Sequence, residues 1–213
     1  MSGHDDFAFE PIPGLPAAPP KGELILWQGR PDTMALARQS YGLGWIALYF
    51  AGLLIWRASV GYDLAGTKGA LAYGLPYVGV GLVGCGLLLL LAWAQARATM
   101  YTVTTSRVAM RIGAALTVTL NLPYPQLTSA NLALGRRGTG TIAMQMKGDT
   151  RISYLVCWPH VRPWRIGRTE PALRCIPDAA RVAKLLADAA QTRLTQPVLT
   201  RTSDTTLAFA AAE

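Results

Sequence analysis

Apolar positions along this chain are spaced in three ways, continuous, alternating and helical, and each spacing predicts a different element. They run almost unbroken from Tyr41 to Trp56 and again from Gly69 to Ala96, the latter including the leucine run Leu87 to Leu91. About 20 apolar residues cross ~30 Å of hydrocarbon at ~1.5 Å per residue. The second run reaches that length, and Pro76 near its start is tolerated in a membrane helix. The first run reaches it once Ala58, Ser59 and Val60 are added and Arg57 snorkels outward. The only charged residues between Tyr41 and Ala96 are Arg57, Asp63 and Lys68, all between the two runs. The pattern predicts a two-helix transmembrane hairpin over residues 36–96. For the first run, a buried soluble helix is the alternative. Trp45, Tyr49 and Trp56 near its ends instead match the aromatic belt of a spanning helix.

Beyond Ala96 the period shortens. Met100–Thr104, Arg107–Ile112 and Leu116–Leu120 alternate or are β-branched, and so do Leu127–Leu134, Gly140–Met146 and Arg151–Cys157. These segments read as strands, with turns at Thr105–Ser106, Gly113, Gly135–Gly138 and Gly148–Asp149, and Ala172–Ile176 as a last strand. Pro123 and Pro125 interrupt the series. Pro177–Asp178 then opens an amphipathic helix, with Val182, Leu185, Leu186 and Ala189 on one face and Arg181, Lys184 and Asp188 on the other. The expected fold is an α+β membrane protein: a hairpin, then a curved sheet or β-barrel over residues 97–192, capped by one helix. Residues 1–35 form a leader rich in proline, extended or disordered unless bound, in which Glu23–Trp27 reads as a short strand or docking segment. Residues 193–213 read as a flexible tail.

Composition sharpens this picture. Charged residues are only 15% of the 213, against 51% hydrophobic, and the net charge is +8. From Arg97 to Arg193 there are 14 Lys/Arg and 4 Asp/Glu, so this stretch alone is close to +10. Such a domain suits anionic lipid or acidic protein surfaces; a tethered domain rarely meets nucleic acid. Arg30 and Arg38 precede the first run, and Arg97, Arg107 and Arg111 follow the second. The positive-inside bias therefore predicts both termini in the cytoplasm. The acidic N-terminus has no apolar core segment, so no cleavable signal peptide is expected. Cys85, Cys157 and Cys175 lack CxxC spacing and read as reduced thiols.

No catalytic constellation is present, and the expectation is a protein that is not an enzyme. His4 and His160 have no metal-ligand spacing, Cys157 and His160 lack further ligands, and no GxSxG, GxGxxG or P-loop occurs. Gly135–Gly140 resembles a phosphate loop only superficially and reads as a hairpin connection. The unusual stretch is Trp158–Arg168, with Trp158, Trp164, Arg162, Arg165 and Arg168 around two prolines. It suits either a contact surface with aromatic anchors or a loop whose tryptophans plug a sheet edge. Together with Arg136 and Arg137, these arginines could meet a partner or lipid headgroups. His160 reads as hydrogen-bonded or solvated, or as a ligand of a tetrapyrrole magnesium. Gly79, Gly81, Gly84 and Gly86 provide small faces for close helix packing, within the chain or with a partner protein. No cofactor is expected.

Tyr101–Gly113, followed by Leu122–Pro123 and Gly140–Ile142, resembles bacterial pleckstrin-homology-like (PH-like) domains found beside membrane hairpins. That resemblance implies a seven-stranded curved sheet or barrel with a C-terminal helix. Three further blocks, His4–Pro16, Leu26–Asp32 and Trp158–Trp164 continued by Leu173–Ala180, resemble the PuhB family of photosynthetic-complex assembly proteins of purple bacteria. This second resemblance implies a factor that helps build the reaction centre and light-harvesting 1 complex through contact with their subunits. It carries no catalytic residues, and it leaves open which subunit is touched and whether bacteriochlorophyll is contacted. A membrane-tethered module binding anionic lipid is the alternative function, and homo-oligomerisation is a further possibility.

Overall fold

The computed structural model describes residues 12, 14, 15, 17–114, 117–135, 138–148 and 152–195. Two antiparallel sheets form the β part. The first has the order β1 (Ile25–Gly29), β2 (Met100–Thr104), β3 (Arg107–Ile112) and β4 (Val118–Pro123). The second has the order β5 (Leu127–Leu134), β6 (Gly140–Met146) and β7 (Ala172–Ile176). Their inner faces supply Tyr101, Val103, Val108, Met110, Ile112, Leu122, Ile142, Met144, Leu173 and Ile176 to one core. The helix α4 (Ala179–Thr195) closes it with Val182, Leu186 and Ala189, while Arg181, Lys184 and Asp188 face solvent as the helical spacing requires.

The strands fall where alternation places them, with three differences. The closed barrel is not seen: among the described residues no ladder joins β4 to β5 or β7 to β1. A 3-10 turn at Tyr124–Gln126, flanked or occupied by Pro123 and Pro125, takes the chain out of the first sheet before β5 begins. Proline has no N–H to extend a ladder. The strand expected at Arg151–Cys157 does not form either; Tyr154–Cys157 is a single helical turn, α3. One edge of β6 holds β5 and the other is taken by β7, so no sheet edge on β6 remains for an intervening strand. The turn expected at Gly148–Asp149 and the strand start at Leu116 reach residues outside those described, as do most of the leader and the tail from residue 196.

The third difference concerns residues 23–39. Glu23–Trp27 is expected as a strand or docking segment, and β1 pairs with β2 over Ile25 to Gly29. Glu23 secures that pairing: its Oε1 accepts from Thr104 Oγ1 at 2.7 Å and from Arg107 Nε at 2.8 Å. A short helix, α1 (Thr33–Gln39), follows, with Asp32 as N-cap accepting from the Ala35 N–H at 2.7 Å. Leu36 of α1 packs with Ala96 and Cys175.

The apolar region is helical from Leu43 to Ala98, α2, and is long and apolar enough to cross a membrane; only 11% of its most apolar window is buried within the protein. Helical geometry breaks at Ala65 (φ −148°) and Gly66 (φ +62°), the latter a conformation glycine adopts without a Cβ clash. Arg57, Asp63 and Lys68, expected in a loop, lie in helical turns around this break. Contacts join residues on either side of it. Gly61 packs against the Gly69 backbone, a Cβ built on Gly74 would lie 3.1 Å from Leu54 Cδ1, and one on Gly81 would lie 3.0 Å from Phe50 Cβ. The Arg57 guanidinium sits 5.3 Å from the Tyr73 ring centroid. A straight helix would hold residues 50 and 81 about 46 Å apart at ~1.5 Å per residue.

Candidate functional site

The two ends of α2 return to the β part at one place, where a buried polar cluster joins them. Thr99 is the C-cap of α2, Ser40 is the C-cap of α1 just before α2, Tyr101 lies on β2 and Arg174 on β7. His160 occupies the centre, fully buried. Its Nδ1 lies 2.6 Å from the Tyr101 hydroxyl and its Nε2 3.1 Å from Thr99 Oγ1. The Tyr101 oxygen also accepts the Arg174 backbone N–H at 3.3 Å, so its own hydrogen goes to His160 Nδ1. The imidazole is therefore the neutral Nε2–H tautomer, donating to Thr99. Burial, reinforced by the Arg174 charge, holds the His160 pKa down at about 3. Burial raises the Tyr101 hydroxyl well above its ordinary range.

Arg174 is itself buried and draws the elements together. Its Nη1 donates to the Val161 carbonyl at 3.0 Å and its Nη2 to Ser40 Oγ at 2.9 Å. The adjoining Cys175 lies 3.4 Å from Gln39 Oε1, and its carbonyl accepts from Asp32 N–H at 2.8 Å. Burial raises the thiol pKa of both Cys157 and Cys175, leaving them poor nucleophiles.

From this cluster the Trp158–Arg168 stretch projects as a loop. The Trp158–Pro159 peptide is cis. Val161 bridges Pro171, and Arg162 N–H donates to the Glu170 carbonyl at 2.9 Å, closing the loop at its base. The nearly buried Glu170 carboxylate takes Arg162 Nη1 at 2.9 Å and lies 3.7 Å from Arg165 Nη1. Trp158 meets Tyr41 edge-on at 5.1 Å, which fixes the loop base beside the start of α2. The tip is open: Trp164 is 93% exposed and Ile166 70%, and Leu155 on α3 is 85% exposed. Arg165 and Arg168 are exposed there too.

Of the surface expected from the sequence, this loop thus gathers Trp158, Arg162, Trp164, Arg165 and Arg168. His160 is the correction. It points inward, both ring nitrogens engaged, and offers none to a partner, headgroup or tetrapyrrole magnesium. Apolar Tyr101 and Val161 neighbours and two hydroxyl partners make burial of the neutral ring affordable. Arg136 and Arg137 lie outside the described residues. Among the glycines, Gly81 and Gly84 meet Phe50, whereas positions 79 and 86 have nothing within 4 Å of a built Cβ. No group of three His, Cys, Asp or Glu side chains able to hold a metal occurs among the described residues. Sequence reasoning missed Ser40, Tyr41, Thr99, Tyr101, Glu170 and Arg174, which are distant along the chain and carry no local signal.

No solved structure matches the chain. Over their full lengths it is 46% identical, across 215 residues, to an uncharacterized 23.7 kDa protein in the puhA 5′ region of Rhodobacter capsulatus. Residues 42–190, which hold α2, β2 to β7 and most of α4, match the bacterial PH domain family. With more than half its length matched, the chain belongs to that family.

Proposed function

We propose that this protein is a membrane-anchored assembly factor for the photosynthetic reaction centre and light-harvesting 1 complex, of the PuhB type, acting by contact and not by catalysis. The observation that carries this reading is the full-length relative, whose name places it in the puhA 5′ region. On this reading α2 is two antiparallel spanning helices that turn at Ala65–Gly66, supported by the Gly61–Gly69 and Phe50–Gly81 contacts across the break. Residues 43–64 alone would reach about 33 Å, enough for the hydrocarbon layer. Arg30 and Arg38 before the spans, with Arg97, Arg107 and Arg111 after them, put both termini and the β part on the cytoplasmic side of the inner membrane.

The loop of Trp164, Ile166 and Arg165 is the surface that engages a subunit of the nascent complex. It places an exposed aromatic anchor among guanidinium groups, the residue types that dominate interface energetics. Gly79 and Gly86, with no side chain against them, accept a helix of the partner. Deleting the gene in a phototrophic host is expected to lower assembled reaction centre while pigment synthesis continues. Normal levels of assembled complex in that strain would reject the proposal.

A further inference from the structure

Large apolar side chains stand exposed along one short stretch before β7. Leu155 and Val156 lie on α3, Trp158 at the loop base, and Trp164 and Ile166 at the loop tip. Trp164 also has a backbone φ of +64°, which crowds the Cβ of a bulky residue. Burial within the fold does not offset that strain, because the side chain is 93% exposed.

Two contacts fix this stretch beside the start of α2. The Trp158 ring meets Tyr41 edge-on at 5.1 Å, two residues before α2 begins at Leu43. Arg174 joins the Val161 carbonyl to Ser40 Oγ. Trp164 is three residues beyond Val161, so its Cα lies within about 11 Å of the Val161 Cα at ~3.6 Å per residue. The ends of α2 carry interface marks of their own. Trp45, two residues from the start, is exposed, and Trp93, five residues before the end, holds the Arg97 guanidinium 5.6 Å from its ring centroid. Tryptophans in such positions sit at headgroup level in a spanning helix. The loop and both tryptophans of α2 thus gather at the same end of the spanning segments.

We propose that Leu155, Val156, Trp164 and Ile166 enter the headgroup and upper acyl region of the bilayer, making α3 and the loop a second, interfacial attachment beside α2. Arg168 is exposed on the same loop, and Arg165 keeps only a 3.7 Å contact with Glu170; both guanidinium groups meet lipid phosphates. Apolar side chains flanked by basic ones are the composition of segments that lie in the interface. The inference rests on α2 spanning the membrane and deepens the functional reading: a subunit that engages this loop does so at headgroup depth. Because Arg174 ties the loop base to β7 and to the residue before α2, insertion orients the β part against the bilayer.

The test places the full-length protein in nanodiscs of phosphatidylcholine with a minority of phosphatidylglycerol. It carries Leu155→Cys, Ile166→Cys or Asp188→Cys, each labelled with nitrobenzoxadiazole, and labelling of the wild type gives the background. Asp188 is the water control, because it shares a groove with Thr105 and Ser106, beyond the end of β2 remote from α2. Labels at 155 and 166 are expected to emit at shorter wavelength, to be quenched by doxyl lipids and to resist iodide. The label at 188 is expected to show the reverse. Labels at 155 and 166 as open to iodide as the one at 188 would overturn the proposal. Labels open in nanodiscs but shielded in phototrophic membranes would overturn it too, in favour of a protein occupant. The three positions are exposed, so each variant is expected to melt like wild type, and Val156→Cys replaces either loop variant that does not. A chain that stays in water without detergent would refute the spanning reading of α2; one that inserts with its loop labels in water would refute only the interfacial segment.

Discussion

His160 shows how one side chain can be both central and silent in solution chemistry. Its ring is neutral because burial and the Arg174 charge resist protonation, holding its pKa at about 3 against an ordinary 6.5. The unfolded chain takes up a proton as pH falls below about 6.5, whereas the folded one does not. Stability contributed by this histidine is thus complete above that pH and is lost as pH falls towards 3, at about 1.4 kcal/mol per unit. In thermal melts of the full chain, His160→Gln is expected to show a shallower loss across this window than wild type. Parallel curves would show that the imidazole is not the titrating group. Tyr101→Phe removes the donor to Nδ1 and the acceptor of the Arg174 N–H together. Its cost is expected at about 1–3 kcal/mol, the usual range for buried polar groups left unpaired, as measured by chemical denaturation.

Among the elements, α2 and α4 lend themselves to direct measurement. If α2 doubles back, cysteines at Phe50→Cys and Gly81→Cys in a background without native cysteines will form an intramolecular disulfide under mild oxidation. A Cβ at position 81 would be 3.0 Å from Phe50 Cβ, so only a small relaxation separates it from disulfide geometry. A continuous helix would give no such product. The close packing of Gly61 on Gly69 predicts that Gly61→Leu forces the segments apart and lowers the melting temperature, while Gly79→Leu, facing open space, does not. For α4, Leu186 is 3% exposed and belongs to the shared core. Leu186→Ala is expected to cost about 2–5 kcal/mol through lost burial and a residual cavity, read by denaturant midpoint.

For the whole molecule the consequence is coupling between α2 and the β part. Ser40 and Thr99 bracket α2, and both are hydrogen-bonded into the cluster of His160, Tyr101 and Arg174. Any tilt of α2 must therefore move against buried polar contacts, which also hold the base of the Trp158–Arg168 loop at Val161. Trp164→Ala is expected to leave folding unchanged, because the side chain is 93% exposed. The same variant should reduce co-purification of reaction-centre or light-harvesting subunits from phototrophic membranes. Equal recovery with wild type would remove the loop from the proposed interface.

The sequence by itself determined the elements whose cause is local. Continuous apolar runs specified α2, alternating or β-branched segments specified β2, β3, β5 and β6, and the 3.6-residue spacing of Val182, Leu186 and Ala189 specified the buried face of α4. The exposed loop at Trp158–Arg168 was also visible as an unusual segment, since paired tryptophans and arginines around prolines stand out without knowing their surroundings. Only tertiary structure decided the rest. Tyr154–Cys157 has strand composition, yet β7 holds the edge of β6 that it would need. Recruitment of β1 from the leader depends on Glu23 meeting Thr104 and Arg107 across more than 80 positions. His160 turned inward because Thr99, Tyr101 and Arg174 offered partners there. Backbone periodicity records which face of an element is apolar, but hydrogen bonds between distant segments are settled only when the chain folds them together.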